Sequence, residues 1–185
     1  MCRLTETDRL YFRPWRENDA EALYKYASDP RVSEMALWPQ HTSVEMSRQV
    51  IRDFFMNNEH TFAMVLKETN EPIGCIGLVP VGAEHYKPLV NEREVGYWIG
   101  YPYWGKGLTS EALKSLIEFC CNNLRLDSLM VTTDATNKAS QRVAEKCGYS
   151  DQSHFIRNFK ELSGYTPEVL IKHCAPYSDL FTAPA

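Results

Sequence analysis

Three stretches of the 185-residue chain hold residue types whose spacing suits chemistry. The first, Trp104-Gly105-Lys106-Gly107-Leu108-Thr109, comes after a strand-like run ending at Ile99 and precedes an apolar stripe of helical period. Glycines let backbone N–H groups approach an anion closely, and the unpaired N–H groups at a helix start add partial positive charge aimed at it. A phosphate fits such a turn; so, from the loop alone, does a glycine kept only for geometry. The second stretch places Glu92 and Glu94 at the head of the run Val95-Gly96-Tyr97-Trp98-Ile99. A carboxylate there is either a general base or a solvated charge on a strand edge. The third is Asn137-Lys138-Ala139-Ser140, in which one helical turn sets an amide and a hydroxyl on the same side. Ser140 is then a hydrogen-bond donor to chemistry or an ordinary capping serine.

The remaining candidates are weaker. His41, His60, His85, His154 and His173 are isolated, without Ser-His-Asp or Cys-His spacing, and read as ordinary structural histidines. No Cys-x-x-Cys or paired-histidine spacing suggests a metal, and the six scattered cysteines read as reduced, packed thiols. Trp38, Tyr101 and Tyr103 suit either an acceptor pocket or the core.

Positioning these groups takes a mixed set of elements. Residues 9–15 read as a strand stopped by Pro14. Asn18 with Glu21 opens a helix over 19–28 that ends at Asp29-Pro30, and Thr42 with Glu45 opens another that ends near Asn57. Thr61–Lys67 and Ile73–Val79 form a hairpin across a polar turn, residues 80–91 a surface loop, and Arg93–Ile99 the next strand. A helix from Gly107, a strand over Ser128–Thr133 and a helix over 137–147 complete the order β-α-α-β-β-β-α-β-α, one mixed α/β domain.

Glu94 to Ile99, Trp104 to Ala112 and Asn137-Lys138-Ala139-Ser140-Gln141-Arg142-Val143-Ala144-Glu145-Lys146-Cys147-Gly148-Tyr149 together resemble the GNAT superfamily of N-acetyltransferases. Asp29-Pro30-Arg31-Val32 and Ile73-Gly74-Cys75-Ile76-Gly77 are similar to its earlier segments in the Rim-type subgroup, which includes enzymes acetylating the N-termini of ribosomal proteins. The resemblance spans residues 9–149. It implies a single-domain acyl-CoA N-acyltransferase fold, a mixed and mostly antiparallel twisted sheet flanked by helices, with acetyl-CoA as co-substrate.

The superfamily loop usually reads Gln/Arg-x-x-Gly-x-Gly/Ala, where this chain has Trp104, Gly107 and Thr109, so two of three positions depart. The resemblance still assigns the pyrophosphate to backbone N–H groups of Gly105, Lys106, Gly107, Leu108 and Thr109, with Trp104 familiar in the Rim-like subgroup. It lays the pantetheine arm between splayed strands at Val95–Ile99, which include Tyr97, Trp98 and Ile99, and at Ser128–Thr133, near Asn137. It makes Glu94 the base, with Glu92 as competitor, and such assistance typically contributes about 10²–10⁴ in rate. Where many members carry a tyrosine acid this chain has Ala144, and the resemblance to the Rim-like subgroup, with its Asn-x-x-Ser pattern at Asn137 to Ser140, implies Ser140 as donor to the departing thiolate instead.

Past Gly148 the pattern changes. Residues 148–167 are similar to the last helix-turn-helix of AraC-type regulators, yet the same stretch reads as strands His154–Phe159 and Glu168–Cys174 closing the sheet. The domain is expected to run over 1–185, with an atypical segment from 150 to 185. The chain carries 20 Lys plus Arg against 24 Asp plus Glu, a formal charge of −4, which disfavours nucleic acid as partner. The amino terminus lacks the apolar run of a signal peptide, so a cytoplasmic protein, monomer or homodimer, without a membrane partner, is expected. The acceptor suggested by the subgroup is a protein N-terminal amine; polyamines or aminoglycoside-like amines are the alternative, and a catalytically silent acyl-CoA binder or a DNA-binding module are further readings.

Overall fold

Seven strands line up in one sheet in the order β1-β2-β3-β4-β5-β7-β6, in a computed structural model that describes residues 6–36, 38–85, 87–151 and 167–173. They are β1 (Leu10–Pro14), β2 (Thr61–Leu66), β3 (Glu71–Leu78), β4 (Glu92–Ile99), β5 (Ser128–Asp134), β6 (Ser150–Asp151) and β7 (Pro167–His173). Every neighbouring pair is antiparallel except β4 and β5, which run parallel, so the sheet is mixed and mostly antiparallel as the sequence implied.

Alternation along the strands divides the apolar residues between two faces. On one face Leu10, Phe12, Met64, Val95, Ile99, Leu129 and Val131 pack under Leu108, Leu113 and Leu116 of helix α4 (Leu108–Phe119) and beside α5 (Lys138–Lys146). On the other, Ala63, Val65 and Cys75 pack under Trp15 and under Ala20, Leu23 and Ala27, of which the last three belong to α1 (Ala20–Ala27). Two further helices lie between β1 and β2: α2 (Pro30–Ala36) and α3 (Val44–Val50), the latter running on as a π-helical turn over Ile51–Phe55.

Three local expectations are corrected. The first helix does end before Asp29-Pro30, α1 stopping at Ala27, but the expected order lacks α2, whose first residue is Pro30, a position where its missing N–H costs nothing. Asp19 rather than Asn18 organises the start of α1, its carboxylate accepting from the Arg16 backbone N–H at 2.9 Å and from the Arg13 guanidinium at 2.7 and 2.8 Å. The cap of α3 is Ser43, one residue past Thr42, with Oγ accepting from the Met46 N–H at 3.1 Å. A fourth correction concerns the thiols. Cys75, Cys120 and Cys147 are free and buried, but Cys121 is disulfide-bonded.

The proposed strand over Glu168–Cys174 agrees with β7, which pairs with β5 along seven registers from Ser128↔His173 to Asp134↔Pro167; Cys174 itself, like the segment His154–Phe159, lies outside the described residues. No helix among the described residues is long and apolar enough to cross a membrane.

The junction of β4 and β5 does most to shape the candidate site. Their parallel pairing covers only Glu92↔Ser128, Arg93↔Leu129 and Glu94↔Met130. Beyond Glu94, β4 keeps its partner β3 through Ile99↔Gly74, and β5 keeps β7, but β4 and β5 no longer pair with each other. The sheet opens into a fork, and the edge of β4 from Val95 onward faces a gap.

Candidate active site

The open end of the fork meets the glycine loop. Gly105 and Gly107 adopt φ of 71° and 77°, the left-handed region that glycine enters without steric cost, and Gly107 is the cap of α4. The first helical bond of α4 runs from the Glu111 N–H to the Gly107 carbonyl at 3.0 Å, which leaves the N–H groups of Leu108, Thr109 and Ser110 without an acceptor in the helix. Two contacts orient the loop. Trp104 donates its indole N–H to the Ile99 carbonyl at 2.9 Å, and Arg9 donates to the Lys106 carbonyl at 3.0 Å. With that carbonyl tied to Arg9, the free donors of the turn and of the helix start form an anion cradle at the mouth of the fork. These features fit a pyrophosphate at the loop and an extended arm between β4 and β5. Leu108 contributes only its backbone, since its side chain is buried in the core.

The two faces of β4 hold different chemistry. Tyr97 points toward α5. Its hydroxyl donates to the Ser140 carbonyl at 3.1 Å, and the Ser140 hydroxyl donates to the Tyr97 oxygen at 3.0 Å. Burial pushes the Tyr97 phenol well above its ordinary value, so it stays protonated. Asn137 caps α5 by accepting the Ser140 N–H at 3.0 Å and donates to the Met35 carbonyl at 3.1 Å, which ties α2 across the site. Across the gap, beside the end of β4, Arg31 of α2 lies 3.4 Å over the Tyr101 ring.

Glu94 is on the opposite face, at the point where the fork begins. It is not a solvated strand-edge carboxylate: 1% of it is exposed. Burying a carboxylate is costly unless its oxygens are satisfied. One oxygen accepts the His85 backbone N–H at 2.8 Å, and the other accepts the Thr132 hydroxyl and meets His85 Nδ1 at 2.7 Å. His85 keeps 64% of its side chain exposed. Hydrogen bonding to Glu94 raises its pKa above the ordinary imidazole value against an opposing effect of burial. Glu92, the competing candidate, accepts from Ser128 Oγ at 2.7 Å and the Leu89 N–H at 3.1 Å within the paired part of the sheet, below the fork.

Along the same face as Glu94 come Gly96, exposed, and then Trp98. Trp98 stacks on Trp15 with centroids 6.3 Å apart and leans on Trp38 at 5.1 Å, so its ring belongs to this side rather than to the phosphate side. The indole N–H groups of Trp38 and Trp98 are buried without a hydrogen-bond partner. Tyr101 and Tyr103 lie in the turn before the loop; Tyr103 meets the Tyr26 hydroxyl at 3.3 Å, and Tyr101 packs edge-on to Trp104.

The family model for the acetyltransferase (GNAT) domain matches residues 9–150. The chain belongs to that family. Among curated GNAT relatives, an uncharacterized N-acetyltransferase p20 of Bacillus licheniformis is 28% identical over 85% of this chain and 88% of its own length. The ribosomal-protein-serine acetyltransferase of Escherichia coli is 27% identical over 79% of this chain and 84% of its own. Of solved structures, spermidine N-acetyltransferase from Vibrio cholerae, in complex with CoA and spermine, superposes with a TM-score of 0.67 at 15% identity, over 89% of this chain and 94% of that one. At that identity the likeness shows the GNAT fold. The resemblance of residues 148–167 to a regulator helix-turn-helix gains no support from these matches.

The fork therefore brings together most of the residues singled out in the sequence: the loop Trp104 to Thr109, Tyr97, Asn137 and Ser140 on one face, Glu94 and Trp98 on the other. What sequence reasoning missed is His85, Thr132 and Arg9. His85 and Thr132 converge on Glu94 from 9 and 38 residues away, and no spacing rule announces such a contact. Arg9 reaches the loop from 97 residues away.

Proposed function

We propose that the chain binds acetyl-CoA along the fork and transfers its acetyl group to a primary amine, the acceptor being a protein or peptide N-terminal amine. The observation that carries this reading is the coincidence of an unpaired β4 edge, a backbone anion cradle at one end of it and a buried carboxylate at the other. Bound there, the thioester supplies an activated acyl carbon and a thiol leaving group. Gly105, Lys106, Gly107, Leu108 and Thr109 hold the pyrophosphate by backbone N–H groups, while Val95 to Ile99 offer the pantetheine arm a strand edge and Asn137 flanks it.

Proton traffic divides between the two faces. The acceptor approaches over Gly96, where the lack of a side chain leaves room between Glu94 and Trp98. Glu94 supplies the negative charge that draws a proton from the ammonium. Once the amine attacks and the carbon–sulfur bond breaks, Ser140 turns its hydroxyl from Tyr97 toward the thiolate, and Tyr97 can in turn donate to Ser140 Oγ, a path of two hydroxyls.

A peptide suits this face better than a polyamine. The described side chains around Gly96 are the aromatic Trp98 and Trp38 and the already paired Glu94, which offer the further cationic nitrogens of a polyamine no unpaired charge. A cytoplasmic enzyme of one domain over 1–185 is part of the same reading, with β7 supporting β5 from the segment beyond residue 150. Acetyl transfer from acetyl-CoA should be screened over N-terminal peptides, spermidine and an aminoglycoside. Turnover confined to the small amines would overturn the acceptor assignment, and no turnover with any amine, despite coenzyme A binding, would leave a silent acyl-CoA binder.

A further inference from the structure

Glu94 is sealed where it would have to act. At 1% exposure, with both oxygens engaged by His85 and Thr132, the carboxylate offers no open path to an incoming amine or to a water between them. The group that does reach the open side is the imidazole bonded to it. We infer that His85 is the catalytic base, taking the proton from the acceptor ammonium at Nε2 while the buried Glu94 carboxylate holds Nδ1–H and stabilises the imidazolium that forms. This rests on the acetyl-transfer reading of the same site and replaces its direct carboxylate by a histidine–carboxylate pair.

The geometry carries the assignment in three ways. The Nδ1 edge of the ring is fixed 2.7 Å from the Glu94 oxygen and 3.3 Å from Thr132 Oγ1, which selects the tautomer with its lone pair on Nε2. The backbone N–H of His85 is pinned to the other Glu94 oxygen at 2.8 Å, so the loop bearing the histidine is fastened to the last paired position of β4, where the fork opens, rather than hanging free. And the ring is 64% exposed, on the face that also bears Gly96 and Trp98. This is the role a buried carboxylate plays beside a catalytic imidazole generally: it orients the ring and offsets the charge the ring acquires, without itself becoming protonated. In the balanced step, one proton passes from the ammonium nitrogen to Nε2, the freed lone pair forms the carbon–nitrogen bond, and the electron pair of the carbon–sulfur bond leaves with sulfur; Ser140 protonates that sulfur, and the second proton, shed by the nitrogen as the neutral amide forms, restores the Ser140–Tyr97 hydroxyls through solvent. His85 later returns its proton to solvent.

Glu94 from β4 is the charged group that meets the ring among the described residues; Thr132 from β5 is neutral. Because the carboxylate raises the imidazole pKa above 6.5, the neutral, working form grows as pH rises through that raised value. The experiment measures kcat/KM against pH for wild type, His85→Gln and Glu94→Gln with a peptide acceptor. In parallel, the imidazole of His85 is titrated by NMR, and coenzyme A affinity is read by calorimetry to show that each variant is folded. The expected result is an ascending limb above pH 6.5 in wild type that vanishes in His85→Gln, with kcat about 100-fold lower, coenzyme A affinity retained, and partial rescue of His85→Ala by added imidazole. The NMR titration of His85 should move down in Glu94→Gln, because the charge that raises it is gone while the opposing effect of burial remains. Wild-type turnover and an unchanged limb in His85→Gln, beside an inactive Glu94→Gln, would overturn this inference alone and return the proton to the carboxylate. A wild type that acetylates no amine would overturn the reading beneath it.

Discussion

The two ends of the fork are built on different principles. At the loop end the chemistry is made by backbone: Gly105 and Gly107 in left-handed conformations, and the first N–H groups of α4, present donors that any residue carries. At the narrow end it is made by side chains drawn from β4, β5 and the loop between β3 and β4, which meet only when the sheet is assembled. The first needs a turn of the right shape. The second needs three segments held in register at hydrogen-bonding distance. Substrate holding and proton transfer should thus be separable by mutation, and they should fail in different observables.

The sharpest break is expected at Glu94. Glu94→Gln keeps the shape but removes the charge that His85 Nδ1 faces, so kcat should fall by up to about 100-fold, no further than in His85→Gln because Glu94 acts through the imidazole, while coenzyme A affinity holds, measured by steady-state kinetics and calorimetry. If affinity fell in parallel, the two ends would not be independent. The converse variant is Gly107→Glu, which forces a side chain onto a φ of 77° and puts negative charge at the cradle. Coenzyme A should then bind about 100-fold more weakly, roughly 3 kcal/mol, and the melting shift produced by the ligand should disappear.

Between the ends lies the Tyr97–Ser140 pair. Ser140→Ala should lower kcat by about 10-fold, the worth of one hydrogen bond to a developing charge of about 1.5 kcal/mol, with coenzyme A affinity near wild type. Tyr97→Phe should cost less, and the double variant should lose no more than Ser140→Ala alone, because Tyr97 acts through Ser140. Additive losses in the double variant would mean that the two hydroxyls serve separate roles.

Legibility in the sequence divides along the same line. The glycine loop, the strand before it and the helix after it are contiguous, so local rules find them; the spacing of Asn137 and Ser140 gave a shared side of one helical turn but not the bond from the Ser140 N–H to the Asn137 side chain. Helix α2 stayed hidden because Asp29-Pro30 reads as a stop when proline also serves as a first helical residue. Glu94 read as a solvated charge as readily as a base, because alternation along β4 gives its face and not the loop that covers it. His85 sits in the irregular stretch between β3 and β4, and its meaning comes from Glu94 and Thr132, a contact that propensity and period do not encode.

The smallest effect is expected at the brace behind the cradle. Glu111 of α4 accepts from the Thr7 hydroxyl at 2.5 Å, from the Arg9 backbone N–H at 3.0 Å and from the Arg9 side chain at 2.7 Å, and the same guanidinium holds the Lys106 carbonyl. Burial alone would push the Glu111 carboxyl up, but the bonds from Thr7 and Arg9 together outweigh it and hold it below its ordinary value of about 4.5. A carboxylate depressed in the folded state contributes stability that is present above the unfolded value and lost as pH falls through the folded one, so the brace should act at neutral pH and loosen only below about 4.5. Arg9 is half exposed, and exposed ion pairs are worth little, so Glu111→Gln should leave the melting temperature at pH 7 within a few degrees of wild type. Its measurable consequence lies in the cradle: with the Arg9 guanidinium no longer anchored, the Lys106 carbonyl is less firmly held away from the phosphates, and coenzyme A should bind about 2–3-fold more weakly by calorimetry, well under 1 kcal/mol. A Glu111→Gln variant that bound coenzyme A as tightly as wild type would show that the glycine turn and the helix start suffice by themselves, making the backbone end of the fork still more local than the contacts suggest.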